Sequence, residues 1–405
     1  MSVTPRDKWI PLAQPDLTGN EEAYVVEALR SSWISSSGKF LTDFELLFSK
    51  LCATRATLAV TNGTAALHLA MLGMDLRPGD EVIVPSLTYV ATANAVRYVG
   101  AEPVFVDVDP VTWCLDPAKI EERITRRTKG IIAVHLYGHP ADMDRIVHIA
   151  SVHGLWVVED AAEAHVARYK GRPVGGLATM ATFSFYGNKI FSCGEGGAVT
   201  VDSPSLELRL RTLRGQGMDP QRRYFFPVVG YNFRLTNIAA ALLCAQLERR
   251  ELLIRRRREI FAGYRERLEG IPGLGFQPAA DWAEPAPWLF SITVDEVAFG
   301  RSRDELAQYL AAHSIETRPF FIPLHTLPPY REEADKRSYR LPETLRLAEV
   351  GMNLPTFTLL ADSDLDRICD LIRAAGQGRK QRKRTRPMSK PNARSSKRVS
   401  GGQRR

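Results

Sequence analysis

The sequence predicts an α/β protein with a large, mostly parallel sheet followed by a smaller α/β layer. Between residues 57 and 201, short apolar and β-branched runs alternate with segments of helical periodicity. This alternation is the pattern of parallel strands joined by helices. The chain has 405 residues, more than one ordinary domain needs, so a large and a small domain are expected.

Seven strands and three intervening helices are predicted in the first part of the chain. The strands are expected at 57–60, 81–84, 102–106, 130–134, 155–159, 181–185 and 197–201. The helices are expected at 64–72, 88–99 and 143–153. The segment 237–268, rich in Ala, Leu and Arg, then predicts one long helix that carries the chain into the second domain.

The second part of the chain predicts a small α/β layer. Pro272-Gly273 ends the long helix, and a strand is expected at 288–294, after Pro285-Ala286-Pro287. Helical patterns follow at 303–313 and 364–374.

The chain is therefore divided into an N-terminal arm and large domain at 1–268, a small domain at 269–376 and a disordered basic tail at 377–405. From Arg379 to Arg405 there are twelve Lys or Arg and no Asp or Glu, so the rest of the chain carries −4 of the formal net charge of +8. The tail has too few apolar residues to offset its ordering entropy. It is expected to be solvated, or to touch nucleic acid or an anionic membrane loosely by counterion release. No aromatic residue is interleaved to stack a base, so no specific nucleic acid is expected as a partner.

The composition favours a reduced, cytoplasmic protein. No stretch approaches the roughly 18 uninterrupted apolar residues of a membrane span. Arg6, Asp7 and Lys8 stand near the start without the apolar core of a secretion signal. The five cysteines are scattered, odd in number and without a CxxC pair, which is typical of free thiols rather than of a zinc site or a disulfide framework. No metal is expected.

One lysine and one carboxylate give the first indication of function. Lys189 follows the apolar, aromatic run Phe183-Ser184-Phe185-Tyr186. It lies about thirty residues after Asp160, the last residue of an acidic strand end, Glu159-Asp160. Pyridoxal 5'-phosphate (PLP) needs an amine that forms a Schiff base with its aldehyde and a carboxylate that keeps its ring nitrogen protonated. Between apolar segments, Lys189 is expected to lose solvation and to have a lowered pKa. The alternative is an ordinary solvated surface lysine.

A phosphate site is predicted where Asn62-Gly63-Thr64 leaves a strand and opens a helix. Free backbone N–H groups and the helix dipole bind anions there. Gly63 lets the backbone approach closely, and Thr64 adds a hydroxyl. Ser184, near Lys189, is a second candidate phosphate donor. The alternatives are an ordinary strand-to-helix connection and a strand-end hydroxyl.

Two further candidates lie at or just past the carboxyl ends of predicted strands, where an open α/β sheet collects ligands. Tyr89 could stack on a pyridine ring, or it could be a core tyrosine. Asp160 ends an apolar strand, and a buried carboxylate there needs a cationic partner such as a protonated pyridine. Alternatively, Asp160 caps a helix that follows it.

Eight motifs in the same order make the chain resemble the DegT/DnrJ/StrS family of PLP-dependent sugar aminotransferases. They are 33–39 (WISSSGK), 62–67 (NGTAAL), 85–92 (PSLTYVAT), 135–138 (HLYG), 159–165 (EDAAEAH), 184–189 (SFYGNK), 194–197 (GEGG) and 230–237 (GYNFRLTN). The resemblance extends from Ile10 to about Ala374. It implies the PLP-dependent transferase fold type I, the architecture of aspartate aminotransferase.

The resemblance implies roles for the residues around the cofactor ring. Lys189 would be the Schiff-base lysine and Asp160 the partner of the ring nitrogen. Tyr89 would stack on the ring, and Glu163 would lie near its phenolic oxygen. Some members carry His at the position of Lys189 and perform dehydration, so the lysine favours amino transfer. Many relatives have Gly where this chain has Val166, so a changed backbone is expected beside Glu163.

The resemblance also implies a phosphate site that two subunits share. Gly63, Thr64 and Ser184 would bind the phosphate, joined by Asn232 from a neighbouring subunit. This arrangement implies a homodimer with shared active sites. The alternative is that Asn232 only turns the chain ahead of the helix predicted from residue 237.

Within the family, the segments 136–144, 214–220 and 316–330 most resemble members that aminate GDP-4-keto-6-deoxymannose at C4. The last of these segments lies in the predicted small domain. Arg318 is a candidate fork for a carboxylate or phosphate, and His325 a candidate partner of a sugar hydroxyl. The alternatives are a surface ion pair and a loop-packing imidazole.

The resulting hypothesis is a PLP-dependent aminotransferase that moves an amino group from glutamate to a nucleotide-linked ketosugar. The expected product is GDP-perosamine, for polysaccharide, O-antigen or glycoside biosynthesis. Lys189 would act as the base that moves the proton, and the kinetics would be ping-pong. The alternatives are a dTDP- or UDP-linked ketosugar, a cyclitol, glutamine as the donor, a dehydratase and a PLP-binding regulatory protein.

Overall fold

Residues 9–384 are described by a computed structural model, with side chains described as far as residue 376. The strands are β1 (Ala56–Val60), β2 (Glu81–Pro85), β3 (Glu102–Val106), β4 (Thr128–Val134), β5 (Trp156–Asp160), β6 (Arg168–Tyr169), β7 (Arg172–Pro173), β8 (Met180–Ser184), β9 (Gly197–Val201), β10 (Leu274–Phe276), β11 (Ala283–Glu284), β12 (Phe290–Val294), β13 (Arg318–Pro319) and β14 (Gly351–Leu354). The helices are α1 (Glu21–Arg30), α2 (Lys39–Cys52), α3 (Gly63–Gly73), α4 (Ala91–Tyr98), α5 (Met143–Val152), α6 (Pro204–Arg214), α7 (Asn237–Glu248), α8 (Arg250–Leu268), α9 (Glu296–Phe299), α10 (Arg303–Ala312), α11 (Pro328–Arg337), α12 (Pro342–Val350) and α13 (Asp362–Arg384).

Seven strands form one large sheet in the order β1-β9-β8-β5-β4-β2-β3. β9 runs antiparallel to both of its neighbours, whereas the pairs from β8 through β3 are parallel. The prediction of a large, mostly parallel sheet is confirmed, and each of its strands begins and ends within two residues of the predicted position. The carboxyl ends of the parallel strands meet at one edge, where open α/β sheets place their ligand sites.

Alternate side chains of the central strands enter two separate apolar cores. On one face, Ile83 and Val157 pack with residues of α2, α5 and α7. On the other face, Val84 and Val158 pack with residues of α3, α4 and α6. Because both faces are covered, these strands are nearly continuous apolar runs, and this is why the sequence predicts them well.

The helices of the large sheet were predicted less completely than its strands. The predictions at 64–72, 88–99 and 143–153 correspond to α3, α4 and α5, whereas α1, α2 and α6 were not predicted. In α2, Phe40, Phe44 and Phe48 are buried and recur every four residues. This spacing is a helical signal that the sequence does contain.

The prediction of one long helix at 237–268 is wrong, because the chain forms two helices that meet at Arg249. This residue has φ −97° and ψ 7°, outside the helical range. Its guanidinium donates to Asp16 Oδ1 at 3.2 Å and to Thr18 Oγ1 at 3.0 Å. No Pro or Gly marks the break, and the two partners lie more than 200 residues earlier in the chain. The local pattern of residues therefore contains no signal of it.

A second, four-stranded antiparallel sheet follows in the order β10-β12-β14-β13. It packs with α8, α10 and α13 around a third apolar core. Ile10 joins this core and pairs in parallel with Ile315. The N-terminal arm therefore contacts the second sheet, and the domain division at residue 268 stays a prediction.

The last helix, α13, continues to Arg384 and includes residues 377–384, the start of the segment predicted to be disordered. The remainder of the predicted tail, 385–405, lies outside the described residues. Within residues 9–384, no helix combines the length and the apolar character that crossing a membrane requires.

Val166 lies in the turn that follows β5, and its backbone is left-handed with φ 66°. Glycine adopts this conformation readily, whereas a β-branched residue rarely does. The side chain is half-buried and packs against the first core, the one that contains Ile83 and Val157. The change expected beside Glu163 therefore takes the form of backbone strain at Val166.

We predict that Val166→Gly changes the melting temperature little. Release of roughly 1–2 kcal/mol of left-handed strain should offset the lost packing and the larger entropy of glycine in the unfolded chain. Val147 in α5 is also half-buried against the first core, but it lies in a regular helix, so Val147→Gly is the matched control. Calorimetry should show a melting temperature about 1–3 °C lower for Val147→Gly than for Val166→Gly. Equal losses in the two variants would show that Val166 is not strained.

Candidate active site

A cavity of about 600 Å³ opens at the carboxyl edge of the large sheet. Eight of the ten predicted site residues line it: Gly63, Thr64, Tyr89, Asp160, Glu163, Ser184, Lys189 and Arg318. The loops after β2, β5 and β8 bring most of them together, and β13 of the second sheet contributes Arg318. The other two predicted residues, Asn232 and His325, lie outside this lining.

Asp160 is the last residue of β5, and its carboxylate is buried at the floor of the cavity. One oxygen accepts a hydrogen bond from Thr92 Oγ1 at 2.8 Å and the other from the Ala162 amide at 3.3 Å. Burial raises the pKa of Asp160 above its ordinary value, and these hydrogen bonds oppose the rise. Residues 161–167 form turns rather than a helix, so the interpretation of Asp160 as a helix cap is wrong.

Glu163 places a second buried carboxylate in the same cavity. Its Oε2 accepts a hydrogen bond from the backbone amide of Tyr137 at 2.8 Å. Burial raises the pKa of Glu163 to about 7, and the charge of Lys189 acts in the opposite direction. The cavity therefore holds two carboxyl groups that each favour a nearby cation.

Lys189 lies on the loop after β8, between the two apolar segments that the sequence indicated. The loop is closed by hydrogen bonds from the Lys189 amide to Tyr186 O at 2.9 Å and from the Cys193 amide to Phe185 O at 3.1 Å. Burial lowers the pKa of Lys189, in the direction expected from the sequence, and Glu163 and Asp160 oppose the change. Lys189 is therefore not a solvated surface residue.

Trp288 forms the wall beside Lys189. The Nζ atom of Lys189 lies 4.0 Å from the centroid of the Trp288 ring. The indole is buried, and its Nε1 donates to Asn188 O at 2.8 Å. Trp288 was not among the predicted site residues, because in the sequence it is only the start of a predicted strand after two prolines.

The amino end of α3 forms another wall of the cavity. Asn62 caps the helix by accepting a hydrogen bond from the Ala65 amide at 2.8 Å. The amides of Gly63 and Thr64 are the first in the helix and have no acceptor within it. A Cβ on Gly63 would lie 2.7 Å from Ser184 Cβ, so only glycine allows α3 to begin this close to β8.

Tyr89 is not a core residue, because 58% of its surface is exposed at the mouth of the cavity. Its ring lies 5.9 Å from that of Phe321, which also lines the cavity. Phe321 in turn stacks on Tyr137 at 5.7 Å. The segment around Phe321 therefore contacts both the Tyr89 loop and the loop after β4.

His325 lies at the far end of that segment, outside the cavity. Its Nδ1 is 2.7 Å from Ser86 Oγ, and the Leu324 amide donates to Ser86 O at 2.9 Å. Burial lowers the pKa of His325. These contacts favour the interpretation of His325 as a loop-packing imidazole over that of a sugar partner.

Asn232 is exposed, and its backbone bridges to Gly215. The residues on either side of it, Tyr231 and Phe233, pack their rings against His68 at 5.2 and 5.4 Å. Its backbone is therefore fixed, and the residue is exposed outside the lining of its own chain's cavity.

The lining fits PLP in three separate ways. An amine and a buried carboxylate face the same space, as an aldehyde and a ring nitrogen require. The first amides of α3 and the Ser184 hydroxyl could hold a phosphate, because the missing side chain of Gly63 lets Ser184 lie next to these amides. In addition, Asn188 Oδ1 in the lining is buried without a hydrogen-bond partner among the described residues.

Comparison with known proteins agrees with this chemistry. The family model of the DegT/DnrJ/EryC1/StrS aminotransferase family matches residues 15–373. The chain is 46% identical over 373 residues to GDP-perosamine synthase of Caulobacter vibrioides, and the alignment covers 91% of this chain and 98% of that protein. It is 43% identical over 365 residues to GDP-perosamine synthase of Escherichia coli O157:H7, covering 90% and 98%. The crystal structure of DesI in the presence of its TDP-sugar product aligns with a TM-score of 0.86 at 34% identity, over 94% of this chain and 96% of DesI.

The sequence motifs, the geometry of the cavity and these similarities lead to one assignment. The chain belongs to the DegT/DnrJ/EryC1/StrS aminotransferase family and is a PLP-dependent sugar aminotransferase of fold type I.

Proposed function

We propose that the enzyme transfers the amino group of glutamate to C4 of GDP-4-keto-6-deoxymannose, giving GDP-perosamine and 2-oxoglutarate. The observation that carries this proposal is the 46% identity to a GDP-perosamine synthase across nearly the whole of both chains. A dTDP- or UDP-linked ketosugar is the second candidate, since DesI, a similar structure, was solved with a TDP-sugar product. The product would serve polysaccharide, O-antigen or glycoside biosynthesis in the cytoplasm.

The proposed cofactor contacts follow from the lining of the cavity. When bound, PLP supplies an aldehyde that carries the amino group and an aromatic ring that withdraws electrons. Lys189 would attach the aldehyde, Asp160 would face the ring nitrogen, and Glu163 would lie near the phenolic oxygen. Tyr89 would cover one face of the ring. The phosphate would lie at the start of α3.

Asp160 and Glu163 have distinct tasks in this proposal. Asp160 keeps its charge when a cation faces it, and the hydrogen bonds from Thr92 and Ala162 hold its two oxygens in place. Glu163 is fixed by the Tyr137 amide and has a pKa of about 7 because of burial. It could therefore hold or release a proton near neutral pH.

Lys189 Nζ is the proposed base. It would take the proton from the α carbon of glutamate and deliver one to C4 of the sugar. A lowered pKa keeps part of the amine neutral, and only the neutral amine can accept a proton.

Arg318 is the proposed site for the carboxylate of glutamate. Among the described residues that line the cavity, Lys189 and Arg318 are the two cations. A guanidinium binds a carboxylate through two parallel hydrogen bonds. Arg318 also lowers the pKa of Glu163, so a bound carboxylate would weaken this effect.

The proposed enzyme is a homodimer in which each subunit completes the other's phosphate site through Asn232. The loop before Asn232 exposes several apolar side chains: Tyr224, Phe225, Phe226, Val228 and Val229. An exposed apolar patch of this kind is typical of a protein–protein contact. The exposed position of Asn232, outside the cavity of its own chain, supports the same arrangement.

The substrate assignment predicts a preference among ketosugars. The PLP-loaded enzyme with glutamate should be assayed against GDP-, dTDP- and UDP-linked 4-keto-6-deoxy sugars and an inosose, with 2-oxoglutarate and the mass of the amino product as readouts. We expect kcat/KM to be at least about tenfold higher for the GDP-linked mannose derivative. Glutamine in place of glutamate tests the donor. A higher kcat/KM for another substrate would replace the proposed one.

Asp160→Asn should keep the fold and part of the bound cofactor but lose a factor of about 10² or more in kcat. An amide carries no charge, so it cannot keep the ring nitrogen of the cofactor protonated. Asp107→Asn is the matched control, because Asp107 is also buried but accepts hydrogen bonds from the Glu343 and Thr344 amides of α12. Single-turnover rates and near-ultraviolet circular dichroism separate chemistry from folding. Near-normal turnover of Asp160→Asn would show that another group serves the nitrogen.

The shared site predicts complementation between two inactive variants. In a heterodimer of Asn232→Ala and Lys189→Ala, one site carries both changes and the other carries neither. An equal mixture after subunit exchange should therefore recover about a quarter of wild-type activity. Mixing Lys189→Ala with Asp160→Asn is the control, because both residues belong to one chain's cavity and no intact site can form. Verified exchange without recovery would remove Asn232 from the partner's site.

A further inference from the structure

Arg257 in α8 is a buried cation that has no hydrogen-bonding carboxylate partner among the described residues. Only 2% of its surface is exposed, and Nη1 donates to Trp288 O at 2.9 Å and to Thr356 O at 3.1 Å. Burial lowers the pKa of Arg257 to about 10, and Asp16 acts on it only as a charge. Burying a guanidinium without an ion-pair partner costs free energy, so the two carbonyls that Arg257 binds are candidates for a functional role.

The backbone that Arg257 holds belongs to the tryptophan beside Lys189. Trp288 is fixed at three points. Its backbone carbonyl accepts from Arg257, its indole Nε1 donates to Asn188 O, and its ring stacks on that of Tyr137 at 6.3 Å. Asn188 directly precedes Lys189 in the chain. The indole and the lysine loop are therefore joined by a hydrogen bond as well as by contact.

The Trp288 ring favours the charged form of the lysine amine. Nζ lies 4.0 Å from the ring centroid, inside the roughly 6 Å within which a cation is attracted to an aromatic face. Trp binds cations best among the aromatic side chains, and the attraction is stronger where water is excluded. Trp288 is 1% exposed.

The other groups around Lys189 come from three elements. The carboxylates of Asp160 and Glu163 favour its charge, and Arg318 disfavours it. His165 also faces the amine, but burial and the charge of Lys189 lower its pKa to about 3, so it stays neutral. The Trp288 indole thus adds to the carboxylates of Asp160 and Glu163 as a group that favours the charge of Lys189.

We propose that Trp288 is a positioning residue for Lys189, which holds the protonated amine against its indole face, and that Arg257 fixes the indole through the backbone of residue 288. This inference rests on the proposed function, in which Lys189 carries the proton. An ammonium that is held on an aromatic face does not need a direct ion pair with Asp160. The carboxylate thus stays available for the cofactor while the lysine is free.

The proposal predicts the pKa of Lys189 in the full chain prepared without cofactor. Competitive labelling with acetic anhydride across pH, read by mass spectrometry of the Lys189 peptide, measures it directly. In Trp288→Leu the midpoint should fall by roughly 0.5–1.5 pH units, because the aromatic stabilisation of the charge is lost. Trp288→Phe should give a smaller fall, and Arg257→Met a fall in the same direction.

Trp113→Leu is the matched control, since Trp113 is also buried but packs on Phe320 and does not line the cavity. Its midpoint should equal that of the wild type. An unchanged midpoint in both Trp288 variants would overturn the proposal, and so would an equal fall in Trp113→Leu. If Trp288→Leu or Arg257→Met fails to fold, the labelling midpoint of Lys189 in Trp288→Phe alone tests the proposal.

A separate measurement distinguishes this proposal from the proposed function. Borohydride reduction of the PLP-loaded wild type should add the cofactor mass at Lys189 and block its labelling. Cofactor mass on another residue would contradict the assignment of Lys189 as the cofactor lysine, whatever the midpoints of the Trp288 variants.

Discussion

The burial of opposite charges at the end of the large sheet determines the surroundings of the active site. Asp160 and Glu163 are buried and Lys189 is partly buried, and an unpaired buried charge costs several kcal/mol. Each group therefore has partners. Asp160 accepts from a threonine hydroxyl and a backbone amide, Glu163 accepts from a backbone amide, and the amine of Lys189 lies on an indole face. The same burial shifts their pKa values toward neutrality, which suits groups that exchange protons.

Much of this site was predictable because its signals are local. Asp160 ends an apolar strand, Gly63 and Thr64 open a helix directly after a strand, and Lys189 lies between two apolar runs. Strands buried on both faces are continuous apolar segments, so their positions and their shared carboxyl edge follow from the pattern. The resemblance to a known family supplied the remaining roles, including that of Glu163.

The features that the sequence did not reveal depend on contacts between distant segments. The helix break at Arg249 coincides with hydrogen bonds to residues 16 and 18, and His325 contacts Ser86 rather than the cavity. Trp288 reaches Lys189 across about a hundred residues of chain. No periodicity or capping pattern encodes such pairs, since each partner is chemically ordinary in its own segment. Only the folded chain shows that they meet.

The buried position of Ile10 has a consequence for biosynthesis. Its backbone pairs with residues 314–316, and its side chain belongs to the core that α13 completes. A ribosome adds roughly 5–20 residues per second, so Ile10 waits on the order of tens of seconds for these partners. The strands of the large sheet, all made by residue 201, can assemble during that interval. The segment around Ile10 is therefore made about 300 residues before its partners and can pack only after the strands of the large sheet have been made.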